Sequence, residues 1–119
     1  MEKIKIGVWN CYEDLNFNNF LFKSKNAPIG DDLLLPFNFL YEYGVNNNVI
    51  FNTLPMCEIE NQDAFLFIDF PNMSNPLVKK VFLTNKPKFL IIFESELIKK
   101  ENFDFNNHLL FEKIFTWSD

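Results

Sequence analysis

The chain contains no arginine. All 11 basic residues are lysines, set against 16 acidic residues, for a net charge of −5. A nucleic-acid surface needs clustered cations to displace counterions, so that class of partner is excluded. Lysines pair at Lys79-Lys80 and Lys99-Lys100, but Glu96 and Glu101 dilute the second pair. Glycine is scarce as well, with only 3: Gly7, Gly30 and Gly44. They stand too far apart to write a GxGxxG turn or a Walker loop, which excludes Gly-rich phosphate cradles. A single histidine, His108, and two distant cysteines, Cys11 and Cys57, make no zinc set. The opening Met1-Glu2-Lys3-Ile4-Lys5-Ile6 enters an apolar run too short for a signal peptide, so a disulfide is not expected. No segment approaches the ~20 apolar residues of a membrane span. These absences predict a soluble, cytoplasmic protein.

What is present is hydrophobic mass. Of 119 residues, 48% are hydrophobic and 18% aromatic, the latter mostly the 16 phenylalanines. That is enough for one domain with a real core and too apolar for disorder. No internal repeat or low-complexity block divides the chain, and residues 1–119 read as a single domain.

The most informative stretch is Phe89-Leu90-Ile91-Ile92-Phe93-Glu94-Ser95-Glu96. A continuous apolar run after Lys86-Pro87-Lys88 reads as a strand buried on both faces, as parallel strands are. Ligands of open parallel sheets bind beyond the carboxyl ends of the strands. Glu94 would sit at such an end, where a carboxylate serves chemistry better than packing.

Other strands are predicted at Ile4–Trp9, Val49–Asn52, Ala64–Phe70 and Ile114–Trp117. Asp31-Asp32 could cap a helix from about Leu33 to Tyr43, with Gly44 as its left-handed C-terminal residue. Pro36 belongs in a first turn, which moves the start toward Leu35. Ser74 or Asn75 is predicted to cap a second helix from Pro76 to about Thr84, and His108 to Lys113 suits one helical turn. Asn10 to Ile29 is a long polar stretch with interspersed phenylalanines, long enough to be functional or mobile. Strands alternating with short helices predict an α/β, Rossmann-like three-layer domain with a mostly parallel sheet.

Two segments carry a resemblance. Phe93-Glu94-Ser95 at a strand end, followed later by Phe111-Glu112-Lys113-Ile114-Phe115-Thr116-Trp117-Ser118-Asp119, is similar to the N-terminal half of glycosyltransferase family 10. These are the α-1,3/4-fucosyltransferases and related bacterial enzymes of surface-polysaccharide and lipopolysaccharide assembly. The resemblance covers essentially the whole chain, with its sharp motifs in residues 89–96 and 111–119. The chain departs from the family's Glu-Ser-Pro pattern in having Glu96 where proline is common.

The resemblance implies the acceptor-binding, N-terminal half of a GT-B glycosyltransferase. GDP-fucose, or another nucleotide-sugar, would be held by a C-terminal half absent from these residues. This domain would carry no cofactor of its own and would not transfer sugar alone. The full-length enzyme would work in the cytoplasm, peripherally at the inner membrane. The family's proposed general base maps onto Glu94.

Trp9, Asn10 and Tyr12 at the end of the first strand suit an acceptor sugar, through aromatic stacking and hydroxyl hydrogen bonds. Trp9 reads equally as core. Asp69 ends another strand on the same edge, where it either binds the acceptor or caps the following loop. Ser95 and Glu96 complete the candidate acceptor set, against plain roles in the turn. His108 is not expected to be catalytic. The alternative function is a stand-alone flavodoxin-like α/β binding module without catalytic activity.

Overall fold

In the computed structural model, the described residues are 3–23, 35–94 and 98–116. They form one five-stranded sheet: β1 (Ile4–Asn10), β2 (Val49–Thr53), β3 (Ala64–Ile68), β4 (Lys88–Ile92) and β5 (Lys113–Thr116). The order is β2-β1-β3-β4-β5, and every neighbouring pair is parallel. The domain is thus α/β with a Rossmann-like parallel sheet, and its order is the second common doubly wound one.

The apolar strands are continuous because both faces are covered. On one face, Trp9, Phe65, Phe67, Leu90 and Ile92 pack against Val78 and Val81 of α3 (Pro76–Phe82) and against Phe111. Phe67 stacks on Phe82 at 5.3 Å and meets Phe111 edge-on at 5.9 Å. On the other face, Val8, Phe51 and Ile68 pack with Leu21 and Phe22 of α1 (Phe20–Lys23). Phe37, Leu40 and Tyr41 of α2 (Leu35–Asn46) cover them. Phenylalanine serves both layers because one ring fills the gap between sheet and helix without a polar atom to satisfy.

Several expected boundaries move. α2 begins at Leu35, with Pro36 in its first turn, but it runs through Gly44 to Asn46. Gly44 is therefore not a left-handed cap. A Cβ there would lie 2.5 Å from the Val49 carbonyl oxygen, so glycine lets the helix touch β2. The expected Asp31-Asp32 cap lies outside the described residues. Asn75 is the cap of α3, its Oδ1 accepting from the amides of Leu77 and Val78.

β3 stops at Ile68, because Asp69 takes a left-handed φ of 60° that no strand continues. The last short helix is α4 (Phe105–His108), one turn earlier than expected, capped by Asp104. In the described part of the polar stretch after β1, a 3-10 segment over Glu13–Asn19 is followed by α1. Asn18 and Asn19 turn that segment with positive φ, a conformation asparagine tolerates better than most residues.

Candidate functional site

The carboxyl ends of β1, β3 and β4 bring together Cys11, Tyr12, Asp69, Glu94 and Asn102. This is the edge where open parallel sheets hold ligands, and the strand order reverses here between β1 and β3. The ladder runs to its limit: the Cys11 amide donates to the Ile68 carbonyl, and the Asp69 amide to that of Ile91.

Beyond β1 the chain is held by its own asparagines. Asn16 is fully buried; its Oδ1 accepts from the Asn10 amide at 2.7 Å and its Nδ2 donates to the Asn10 carbonyl at 2.9 Å. Asn10 Oδ1 in turn accepts from the Tyr12 amide at 2.8 Å, an Asx turn. The turn throws the Tyr12 ring outward, leaving it 52% exposed. Its hydroxyl donates to Glu94 Oε1 at 3.0 Å. Asn75 Nδ2 donates to Glu13 Oε1 at 2.6 Å, joining the segment after β1 to the start of α3.

Glu94 is half-buried and follows Phe93, which is 49% exposed. Phe37 of α2 meets Phe93 edge-on at 5.6 Å. The Tyr12 ring thus reaches the carboxylate directly, and Phe93 is its neighbour in sequence.

The electrostatics of the edge are negative. Burial pushes the Cys11 thiol up to about 11; the nearby charges of Asp69 and Glu94 add to the rise, and Lys99 opposes it. Loss of water around the Tyr12 hydroxyl, then its hydrogen bond to Glu94, raise that phenol to about 12. Both groups are protonated at neutral pH, so Tyr12 is a donor to the Glu94 carboxylate and Cys11 is a poor nucleophile.

The sequence-based candidates divide. Tyr12 and Glu94 meet at the solvent-facing edge. Trp9 is 2% exposed and belongs to the core, which corrects its placement as a sugar platform. Within β1, Trp9 faces the α3 side of the sheet, whereas Tyr12 lies past the strand end and is turned outward by the Asx turn at Asn10. Asn10 is also buried, with its oxygen committed to the Tyr12 amide, so it shapes the turn rather than meeting a sugar hydroxyl. Asp69 is 3% exposed, and its Oδ1 accepts from the amides of Phe93 and Glu94 and from Asn102 Nδ2. It caps the end of β4, 24 and 25 positions on, rather than the loop that follows it in sequence. Ser95 and Glu96 lie outside the described residues, as do Trp117, Ser118 and Asp119.

Asn16, Asn102 and Cys11 escaped the sequence reading. Asparagines recur throughout the chain, and nothing local separates a buried one from its exposed neighbours. Among the described residues, no group of three or more His, Cys, Asp or Glu could hold a metal ion. No described helix is long and apolar enough to cross a membrane. A separate concavity of about 320 Å³ lies over the β1–β2 half of the sheet, lined among others by Lys5, Asn52, Cys57, Glu58 and Gln62. Comparison with protein-family models, with curated proteins and with solved structures finds no match to this chain.

Proposed function

We propose that this chain is the acceptor-binding domain of a glycosyltransferase resembling family 10, with Glu94 as the general base. The observation that carries the reading is the Tyr12–Glu94 pair: a carboxylate at a strand end, hydrogen-bonded to an exposed phenol at 3.0 Å, on the ligand-binding edge of a parallel sheet. Inverting sugar transfer needs one group to take the acceptor hydroxyl proton as that oxygen attacks the anomeric carbon. The bond from that carbon to the nucleotide diphosphate breaks, and the diphosphate leaves with its electron pair. Glu94 supplies the base. Tyr12 and Phe93 offer ring faces to the C–H face of a sugar, the role first expected of Trp9. The nucleotide-sugar, GDP-fucose in the best-known members of the family, is held by the partner half.

The test is a titration of the isotopically labelled chain, followed by NMR, with a panel of glycans and with GDP-fucose. Glycan-induced shifts at Tyr12, Phe93 and Glu94, with none from GDP-fucose, support the reading. In an enzyme completed by its donor half, Glu94→Ala should fold normally and lose transfer. A variant retaining most of its turnover removes Glu94 as the base.

The strand order favours a second reading. The β2-β1-β3-β4-β5 order is that of flavodoxin-like domains, whose ligands sit between the ends of β1 and β3. A stand-alone binding module of this kind would show its ligand shifts at Cys11 and Asp69, and binding would survive Glu94→Gln.

A further inference from the structure

We infer that Asn102, acting with Asp69, is the positioning device that aims Glu94, and that neither residue is a sugar ligand. The inference rests on reading Glu94 as the working carboxylate.

Glu94 stands past the last residue of β4, so no neighbouring strand holds its backbone. A half-buried amide and carbonyl still need partners. Both are supplied by side chains. The Glu94 amide donates to Asp69 Oδ1 at 3.0 Å, alongside the Phe93 amide at 2.8 Å. The Glu94 carbonyl accepts from Asn102 Nδ2 at 3.3 Å. The same Nδ2 donates to Asp69 Oδ1 at 2.8 Å, tying the two holders together. Asn102 Oδ1 accepts from the Phe70 amide at 2.6 Å, so the Asn102 amide joins the ends of β3 and β4.

Asn102 is 0% exposed, and its bonds to the Phe70 amide and to Asp69 are buried. Its chemistry admits no easy substitute. Aspartate would lose both donors and set a second carboxylate against Asp69, while leucine would strand the Phe70 amide. His108 Nε2 lies 2.5 Å from the Asn102 carbonyl oxygen, which pins the backbone that carries the amide. The one histidine of the chain thus serves the clamp from behind.

A simple cap would satisfy one end of a strand. This clamp grips the amide and the carbonyl of one residue, and that residue carries the carboxylate that meets Tyr12. Gripping both fixes the direction in which the side chain leaves the backbone.

The experiment uses the 119-residue chain at neutral pH. NMR reads amide exchange at Phe93 and Glu94, and the cross-relaxation contact between the Tyr12 ring and the Glu94 methylenes. In Asn102→Ala, Glu94 amide exchange is expected to rise at least tenfold and the Tyr12–Glu94 contact to fall at least threefold, with the signals of Val78 and Leu90 in place. Asp69→Asn keeps an acceptor oxygen and is expected to retain the contact. A lower thermal midpoint in Asn102→Ala with contact and exchange unchanged would reduce the pair to fold stabilisers and overturn the inference.

Should Asn102→Ala not fold, the unsubstituted chain decides. Protection of the Phe93 and Glu94 amides comparable to Leu90 supports the clamp, and exchange at open-loop rates overturns it. These readouts involve no glycan, so a failed glycan titration would sink the acceptor reading while leaving the clamp intact.

Discussion

The Tyr12 hydroxyl donates to Glu94 Oε1 at 3.0 Å across 82 positions of sequence. The pair bridges β1 and β4, which are not neighbours, since β3 runs between them. Phenol and carboxylate therefore meet above the end of β3, where Asp69 turns the chain and holds the Glu94 amide.

That edge makes the domain sensitive to alkali. Cys11 and Cys57 are raised from 9.0 to about 11, both chiefly by burial. Tyr12 is raised from 10.0 to about 12. A raised pKa means the folded chain holds its proton more tightly than the unfolded chain. The corresponding stability is fully present below pH 9 and is lost as the pH climbs through 11 for the thiols, then through 12 for the phenol. The thermal midpoint should fall steadily above pH 9, and Cys11→Ser with Cys57→Ser should flatten the first part of that fall. A midpoint that stays level across this range would contradict the burial of the thiols.

Gly44→Ala should destabilise the chain although alanine is the better helix former. Alanine gains roughly 1 kcal/mol of propensity within α2. Its Cβ, however, would sit 2.5 Å from the Val49 carbonyl oxygen and 2.7 Å from the Phe51 ring. The nearest of these atoms is backbone, so relief requires moving helix from sheet, at a cost of about 1–3 kcal/mol. Urea unfolding should show a net loss. Gly7→Ala should lose less, because its nearest contact at 2.9 Å is the flexible end of Leu54. A stabilised Gly44→Ala would show that α2 does not press on β2.

Asn16→Ala should be costly for a residue of its size. It leaves the Asn10 amide and carbonyl without their partners in a buried setting. Each unsatisfied group costs about 1–3 kcal/mol, so the loss is on the order of 3 kcal/mol, from a domain stability of about 5–15 kcal/mol. The Tyr12 ring should also lose its fixed position, since the turn that presents it hangs on Asn10. Denaturant unfolding gives the first effect and the Tyr12 ring signals the second. Normal stability in Asn16→Ala would mean that water replaces the amide.

What the sequence determined by itself is the parallel sheet. Ala64-Phe65-Leu66-Phe67-Ile68 and Phe89-Leu90-Ile91-Ile92 have no polar face, and such strands require cover on both sides. It also placed Glu94 past a strand end, because the apolar run stops there, and it put Pro36 in a first turn and a cap just before Pro76. Only the tertiary structure decided which carboxyl-end residues are exposed. Trp9 and Tyr12 are close in sequence, yet one is core and the other surface, because β1 ends between them and an Asx turn intervenes. Gly44 looked like a helix end and proved to be a close approach to β2, a distinction that depends on where another strand lies. Asp69 and Asn102 draw their roles from partners 25 and 33 positions away. Buried polar groups are defined by the atoms that satisfy them, and those atoms come together only when the sheet is assembled.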